Sequence, residues 1–257
     1  MSIGTASGST GTTARPFRDA SFLGLAATCA AIAFVGFAPT YWVPMIGGRL
    51  QVAPIFHLHA TVFFAWSVFL VVQTWLATSR RIARHRAMGL AGVSLATAMV
   101  IFGFLIAIHQ MHAAAVQGHA EAGRAFAIVP LGGIAFFAAT FLAAVANVSR
   151  PDWHKRLMLV AAISILDAPI ARWFMVLAPP PAGASGPPPV VLDAGPAVVT
   201  VVLLGLAMLL DRRQNGRVHR AYAIGVAALV IWKLVQVPIS ATPIWHSVAG
   251  RIMGLVG

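Results

Sequence analysis

Two groups of residues in this chain have types and spacings that could do chemistry. The first is four histidines, His57 and His59 in "VAPIFHLHATVFFAW" and His109 and His112 in "IAIHQMHAAA". Neutral imidazole ligates zinc, copper or iron, and imidazoles on facing helices can supply the axial ligands of haem. The second group is charged or polar: Asp167 and Arg172 in "ILDAPIARW", and Lys233 and Gln236 in "LVIWKLVQVP". An aspartate near a lysine or arginine inside an apolar run suits a proton path, a substrate site or a structural ion pair.

Both groups need elements to hold them, and composition indicates which. Of 257 residues, 59% are hydrophobic and only 9% charged, too few polar groups to coat a soluble globule. Apolar stretches of roughly 18 to 25 residues recur along the chain, each long enough to cross about 30 Å of hydrocarbon as a helix. The sequence predicts an all-α membrane bundle of seven spans, at 20–38, 55–77, 87–112, 126–147, 157–178, 191–210 and 221–243. Continuous apolar runs favour helices over barrel strands, which would alternate over about ten residues. Residues 1–18, rich in Gly, Ser and Thr, read as a disordered cytoplasmic tail, 19–246 as the transmembrane domain, and 247–257 as a short external tail.

The net charge of +12 has a topological explanation that does not require nucleic acid. Arg80, Arg81, Arg84 and Arg86 lie between spans 2 and 3, Arg150, Lys155 and Arg156 between spans 4 and 5, and Arg212, Arg213, Arg217 and Arg220 between spans 6 and 7. The opposite loops and the C-terminus hold only Arg49, Arg124 and Arg251. The positive-inside rule then puts the N-terminus in the cytoplasm and the C-terminus outside, in a multi-pass protein of a bacterial inner membrane. Span 1 reads as a retained anchor rather than a cleaved signal peptide, its apolar run being longer than a usual signal core. The lone cysteine, Cys29, lies in span 1 and offers no disulfide or thiolate cluster.

Counting from the basic flanks at about 1.5 Å per residue gives each polar residue a height. His57 and His109 both fall roughly 34 Å from the basic end, with His59 and His112 within a turn of them. His109 and His112, three apart, share a helix face; His57 and His59, two apart, diverge by roughly 200° if the helix is regular. Asp167 falls about 16 Å along span 5, Arg172 about 24 Å, and Lys233 about 20 Å along span 7. At such depths each charge costs at least about 2.5 kcal/mol, so Asp167 is expected to pair with Lys233 or Arg172. An outward-opening polar cavity between spans 2, 3, 5 and 7 would accommodate both groups.

His85, His154 and His219 each precede a basic residue just before a span and read as interfacial anchors. Their shared pattern marks 55–112, 126–178 and 191–243 as degenerate helix-hairpin repeats. The run "APPPAGASGPPPV" excludes helix and reads as an extended strap. Lys233 also stands where a retinal Schiff base would in a seven-span protein, but span 3 lacks the acidic counter-ion. No Walker loop, nucleophile elbow, HExxH or dinucleotide fingerprint supports a hydrolase or ATPase.

The stretches "HLHATVFFAWSVFLVVQTWLATSRRIARHRAMG" and "WHKRLMLVAAISILDAPIARW" resemble a family of uncharacterised bacterial polytopic membrane proteins with histidine-rich helix ends. The element "HKRLM" is also similar to small bacterial membrane proteins that mature haem-copper oxidases. The resemblance covers spans 2 to 5 and implies a haem, copper or respiratory context, with His57, His59, His85, His109, His154 and Asp167 at the matching positions. The leading expectation is haem or a transition metal (Cu, Fe or Zn) held by His57, His59, His109 and His112 in redox or cofactor-assembly work, beside respiratory or other membrane proteins. The alternatives are a proton-coupled small-solute transporter using Asp167, Arg172, Lys233 and Gln236, and a non-enzymatic membrane scaffold.

Overall fold

A computed structural model describes residues 16–181 and 183–256, with side chains from residue 20 onward. The tail expected over 1–18 therefore lies outside the described residues, except that 16–18 already belong to the first helix, Pro16–Gly36. The described residues form helices and loops without strands, and seven helical segments are long and apolar enough to cross a membrane. They are span 1 Ala20–Ile46, span 2 Pro54–Thr78, span 3 Gly89–Val116, span 4 Ala120–Ala146, span 5 Pro151–Leu177, span 6 Val190–Asn215 and span 7 Arg220–Ser240. In hydrocarbon a helix satisfies its backbone within its own segment, which is why apolar runs of this length fold this way.

Span 5 is the centre of the bundle. It packs on spans 1, 4, 6 and 7, and 56% of its most apolar window is buried, against 11% for span 2. One face joins Cys29 and Ala33 of span 1, Leu204 of span 6 and Tyr222 and Leu229 of span 7 through Val160, Ile163 and Leu166. The other meets Trp66, Met99, Phe137 and Phe141 of spans 2 to 4 through Ala161.

Four spans are interrupted near the end of the bundle opposite the arginine-rich loops, span 4 only by the turn residue Ala127 between Ala120–Phe126 and Ile128–Ala146. Span 1 passes through a π-helical turn at Ala38–Trp42, which sets Tyr41 and Trp42 toward span 2. Span 5 breaks between Pro151–Ser164 and Asp167–Leu177; Pro169 has no N–H to close a helical bond to Ile165, so the chain restarts at Asp167. Span 6 opens with a 3-10 turn, Val190–Asp193, before the helix Ala194–Asn215. The proline-rich connection before it carries no helix, and the Ser185 hydroxyl bonds His119 Nε2 at 3.0 Å.

The C-terminal residues depart from the expected tail at 247–257. Span 7 ends at Ser240, and Pro243–Met253 forms a further helix. Thr242 caps it, its Oγ1 accepting from Trp245 N at 3.2 Å, and Pro243 occupies the first turn, where its missing N–H does no harm. The helix buries Ala249 against Ala107, Ile108 and Met111 of span 3, and Trp245 Nε1 donates to Arg124 O at 2.8 Å. A groove of about 610 Å³ lined by Phe104, Gly132, Trp232, Trp245 and other apolar side chains lies between this helix and spans 3, 4 and 7.

Span 1 meets the break in span 5 at Gly36, where a Cβ would lie 2.4 Å from Pro169 Cβ and 2.7 Å from Pro169 O. A Cβ on Gly24, in the same helix, would meet nothing within 4 Å. Gly36→Ala is expected to lower thermal stability in detergent by about 1–3 kcal/mol through overpacking, and Gly24→Ala to leave it level or slightly raised. Equal midpoints for the two variants would show that this close approach does not form.

Candidate functional site: an ion cluster inside the bundle

The breaks in spans 5 and 6 place a carboxylate at the start of each following helix. Asp167 lies in the first turn of Asp167–Leu177 and Asp193 at the N-cap of Ala194–Asn215, positions where the helix dipole favours negative charge. Asp193 makes no capping bond to the backbone, because its oxygens face span 7. There Lys233 Nζ bridges both carboxylates, meeting Asp167 Oδ2 and lying 2.8 Å from Asp193 Oδ2. Gln236, one turn on, donates from Nε2 to Asp193 Oδ2 at 2.6 Å, and Thr200 Oγ1 donates to Asp167 Oδ1.

The cluster is enclosed: Asp167 and Asp193 are each 8% exposed and Gln236 1%. It contains two carboxylates and one ammonium, one negative charge in excess. Gln236 Oε1 is buried without a hydrogen-bond partner, so an acceptor beside Asp193 is also unfilled.

The expected pairing of Asp167 thus goes to Lys233. Arg172 instead lays its guanidinium over the Phe37 ring, 5.4 Å from the centroid. Asp193 and Thr200 were not among the residues the sequence singled out. Asp193 had a usable signal, an aspartate within an apolar run at the far end of the adjacent span. Thr200 had none, since its hydroxyl also bonds Pro196 O at 3.1 Å within its own helix, as threonines ordinarily do.

The four far-end histidines occupy separate surroundings. His57 Nδ1 bonds the Tyr41 hydroxyl at 2.9 Å. The His59 ring stacks on Phe63 at 4.1 Å, its Nδ1 buried without a partner. The His109 ring stands edge-on to Phe56 at 5.3 Å, and His112 donates from Nε2 to Met253 O at 3.0 Å. Among the described residues no three His, Cys, Asp or Glu side chains gather as a metal ion would require.

At the basic end a second ion layer ties the same three spans. Arg156 of span 5, 3% exposed, donates from Nε to Asp211 Oδ1 of span 6 at 3.0 Å and from Nη1 to Asp152 Oδ1 at 3.0 Å. Asp211 Oδ2 accepts from His219 N at 2.8 Å, and His219 Nδ1 caps span 7 by accepting from Ala221 N at 3.1 Å. Partial burial, with the Arg156 charge beside it, holds His219 below the usual histidine pKa. His154 donates from Nδ1 to Ala144 O at 2.9 Å and faces His85, ring centroids 6.2 Å apart. Burial also lowers the pKa of His85. His154 lies in the first turn of Pro151–Ser164 and His219 at the N-cap of Arg220–Ser240, whereas His85 lies in the last turn of the short helix Ile82–Ala87.

No protein-family model, curated protein or solved structure matches the chain, so its own geometry carries the functional reading. The fold and cluster define a seven-span helical membrane protein with an enclosed, charge-imbalanced site between spans 5, 6 and 7.

Removing the ammonium would leave two carboxylates facing each other in a dry interior. Lys233→Met is expected to destabilise the bundle by about 3–5 kcal/mol, and adding Asp167→Asn and Asp193→Asn to recover most of that loss. Unfolding in detergent reads both changes; a triple variant no more stable than Lys233→Met would mean the three charges do not share one site.

Proposed function

We propose that the protein is a proton-coupled transporter of small solutes, with its coupling site at Asp167, Lys233 and Asp193, supported by Gln236 and Thr200. The observation that carries this reading is the sharing of one ammonium by two enclosed carboxylates. Excess charge within the cluster is costly at membrane depth, and one proton on the carboxylate pair removes it from the cluster. A group that gains and loses a proton there changes the strength with which span 7 is held to spans 5 and 6. Proton binding is thereby coupled to how three helices pack, which is what a transporter requires of its coupling ion.

The basic-end layer supports the same reading. Asp211 stands 18 residues from Asp193 along span 6, roughly 27 Å, so a second ion pair joins spans 5 and 6 at a well-separated height, where the His219 N–H ties span 7 to Asp211. With the arginine-rich loops in the cytoplasm, the Arg156–Asp211 layer is the inner closure and the Lys233 cluster lies toward the outside. A bacterial inner membrane is the setting this orientation suits.

Haem or transition-metal ligation by His57, His59, His109 and His112 is the second reading, favoured by the buried, unpartnered Nδ1 of His59. His57 and His112 bond Tyr41 and Met253 through one ring nitrogen each, so ligation would use the other nitrogen of each ring.

Reconstituted vesicles given an inward proton gradient and a panel of labelled small solutes should accumulate a subset of them in wild type. Asp167→Asn should abolish that accumulation, by tenfold or more, in protein whose unfolding midpoint shows it to be folded. Accumulation by the Asn variant at the wild-type rate would reject Asp167 as the coupling group.

A further inference from the structure

Arg172 is the intramembrane charge that the cluster does not use. It lies five residues beyond Asp167, about 7.5 Å further along the same helix. Its guanidinium rests on Phe37, and no carboxylate pairs with it among the described residues. Phe37 packs edge-on against Phe64 at 5.8 Å, and Phe64 against Trp42 at 4.6 Å. His59 of span 2, although the Arg172 charge acts on it, bonds the Phe102 backbone of span 3. At this junction of spans 1, 2 and 5, Trp42 Nε1 is buried without a hydrogen-bond partner.

Arginine and the tryptophan N–H are donors only. Trp66 and Trp232 also leave Nε1 unpartnered, so the indole alone marks nothing; the guanidinium without an anion is the distinguishing feature. A planar fork of donors fits a carboxylate through two parallel hydrogen bonds, and rings such as Phe37 and Phe64 fit a small apolar body attached to it. We propose that Arg172 anchors a small organic monocarboxylate, taken up together with the proton of the Asp167–Lys233–Asp193 cluster. This deepens the transporter reading and rests on it.

Charge balance supplies the coupling. Without ligands the cluster carries one excess negative charge and Arg172 one positive charge, which offset each other within the same part of the bundle. A proton on the carboxylate pair and a monocarboxylate on Arg172 neutralise each locus separately, and the total is again zero. Either ligand alone leaves an uncompensated charge in a low-dielectric layer, so each favours the binding of the other. The charged and titratable groups facing the two loci are Lys233 at the carboxylates and His59 at Arg172; His57 is held on Tyr41.

Binding of benzoate to the purified full chain in nanodiscs, followed by tryptophan fluorescence and thermal shift, tests this without transport. Methyl benzoate and benzylammonium serve as neutral and cationic controls. Benzoate should bind saturably, more tightly as the pH falls, and the controls should not. Arg172→Gln should weaken benzoate binding at least tenfold, and Trp42→Phe, a milder change, should weaken it severalfold if Arg172→Gln does not fold. Asp167→Asn should leave benzoate binding intact while removing its dependence on pH. No saturable benzoate binding by wild type, or equal binding by folded Arg172→Gln, would overturn the proposal. Proton-driven uptake that still requires Asp167 would in that case leave the transporter reading standing with a different substrate class.

Discussion

The Lys233 ammonium held between Asp167 and Asp193 is the interaction on which the arrangement of spans 5, 6 and 7 depends. In a low-dielectric layer such a charge must be met by opposite charge at hydrogen-bond distance, which fixes three helices in height and rotation together. The irregular backbone nearby follows from the same demand. The break before Asp167 and the 3-10 turn ending at Asp193 bring each carboxylate to a helix N-terminus, where the dipole partly offsets its burial. Gly36 then lets span 1 close over Pro169, covering the break.

A division of labour runs through the bundle. Spans 5 to 7 are joined by ion layers at two heights, whereas spans 2 to 4 meet through Trp66, Met99, Phe137 and Phe141. Apolar contacts between membrane helices rest on close packing and lack direction, so they hold a rigid frame. Ion pairs change strength with protonation, so in the proposed function the three spans they join are the part that responds to a proton. Span 5 belongs to both parts and links them.

The seven spans were legible because a run of some twenty apolar residues has few other folds open to it. The Asp167–Lys233 pairing was legible for a related reason, since opposite charges at similar depth in apolar runs must find each other. Counting residues along a helix gives height but not which way a side chain faces, and the histidines show the consequence. His57 and His59 open span 2 and His109 and His112 lie toward the end of span 3, yet Tyr41 takes His57, and the carbonyl of Met253, 141 residues away in sequence, takes His112. Arg172 went to an aromatic ring rather than a carboxylate because Phe37 of span 1 lies beside it, a neighbour set by helix packing. The terminal helix was readable from Thr242 and Pro243, a cap and a first-turn proline, but was hidden by its short apolar run.

The central claim is that the cluster carries one exchangeable proton. Infrared difference spectroscopy of the reconstituted protein across a pH step tests it most directly, with Asp167→Asn and Asp193→Asn used to assign the bands. A protonated carboxyl band that appears on acidification, equivalent to one group per chain and removed by either substitution, is the predicted result. A spectrum in which neither aspartate contributes a titrating band would contradict the account and leave the cluster a fixed structural tie.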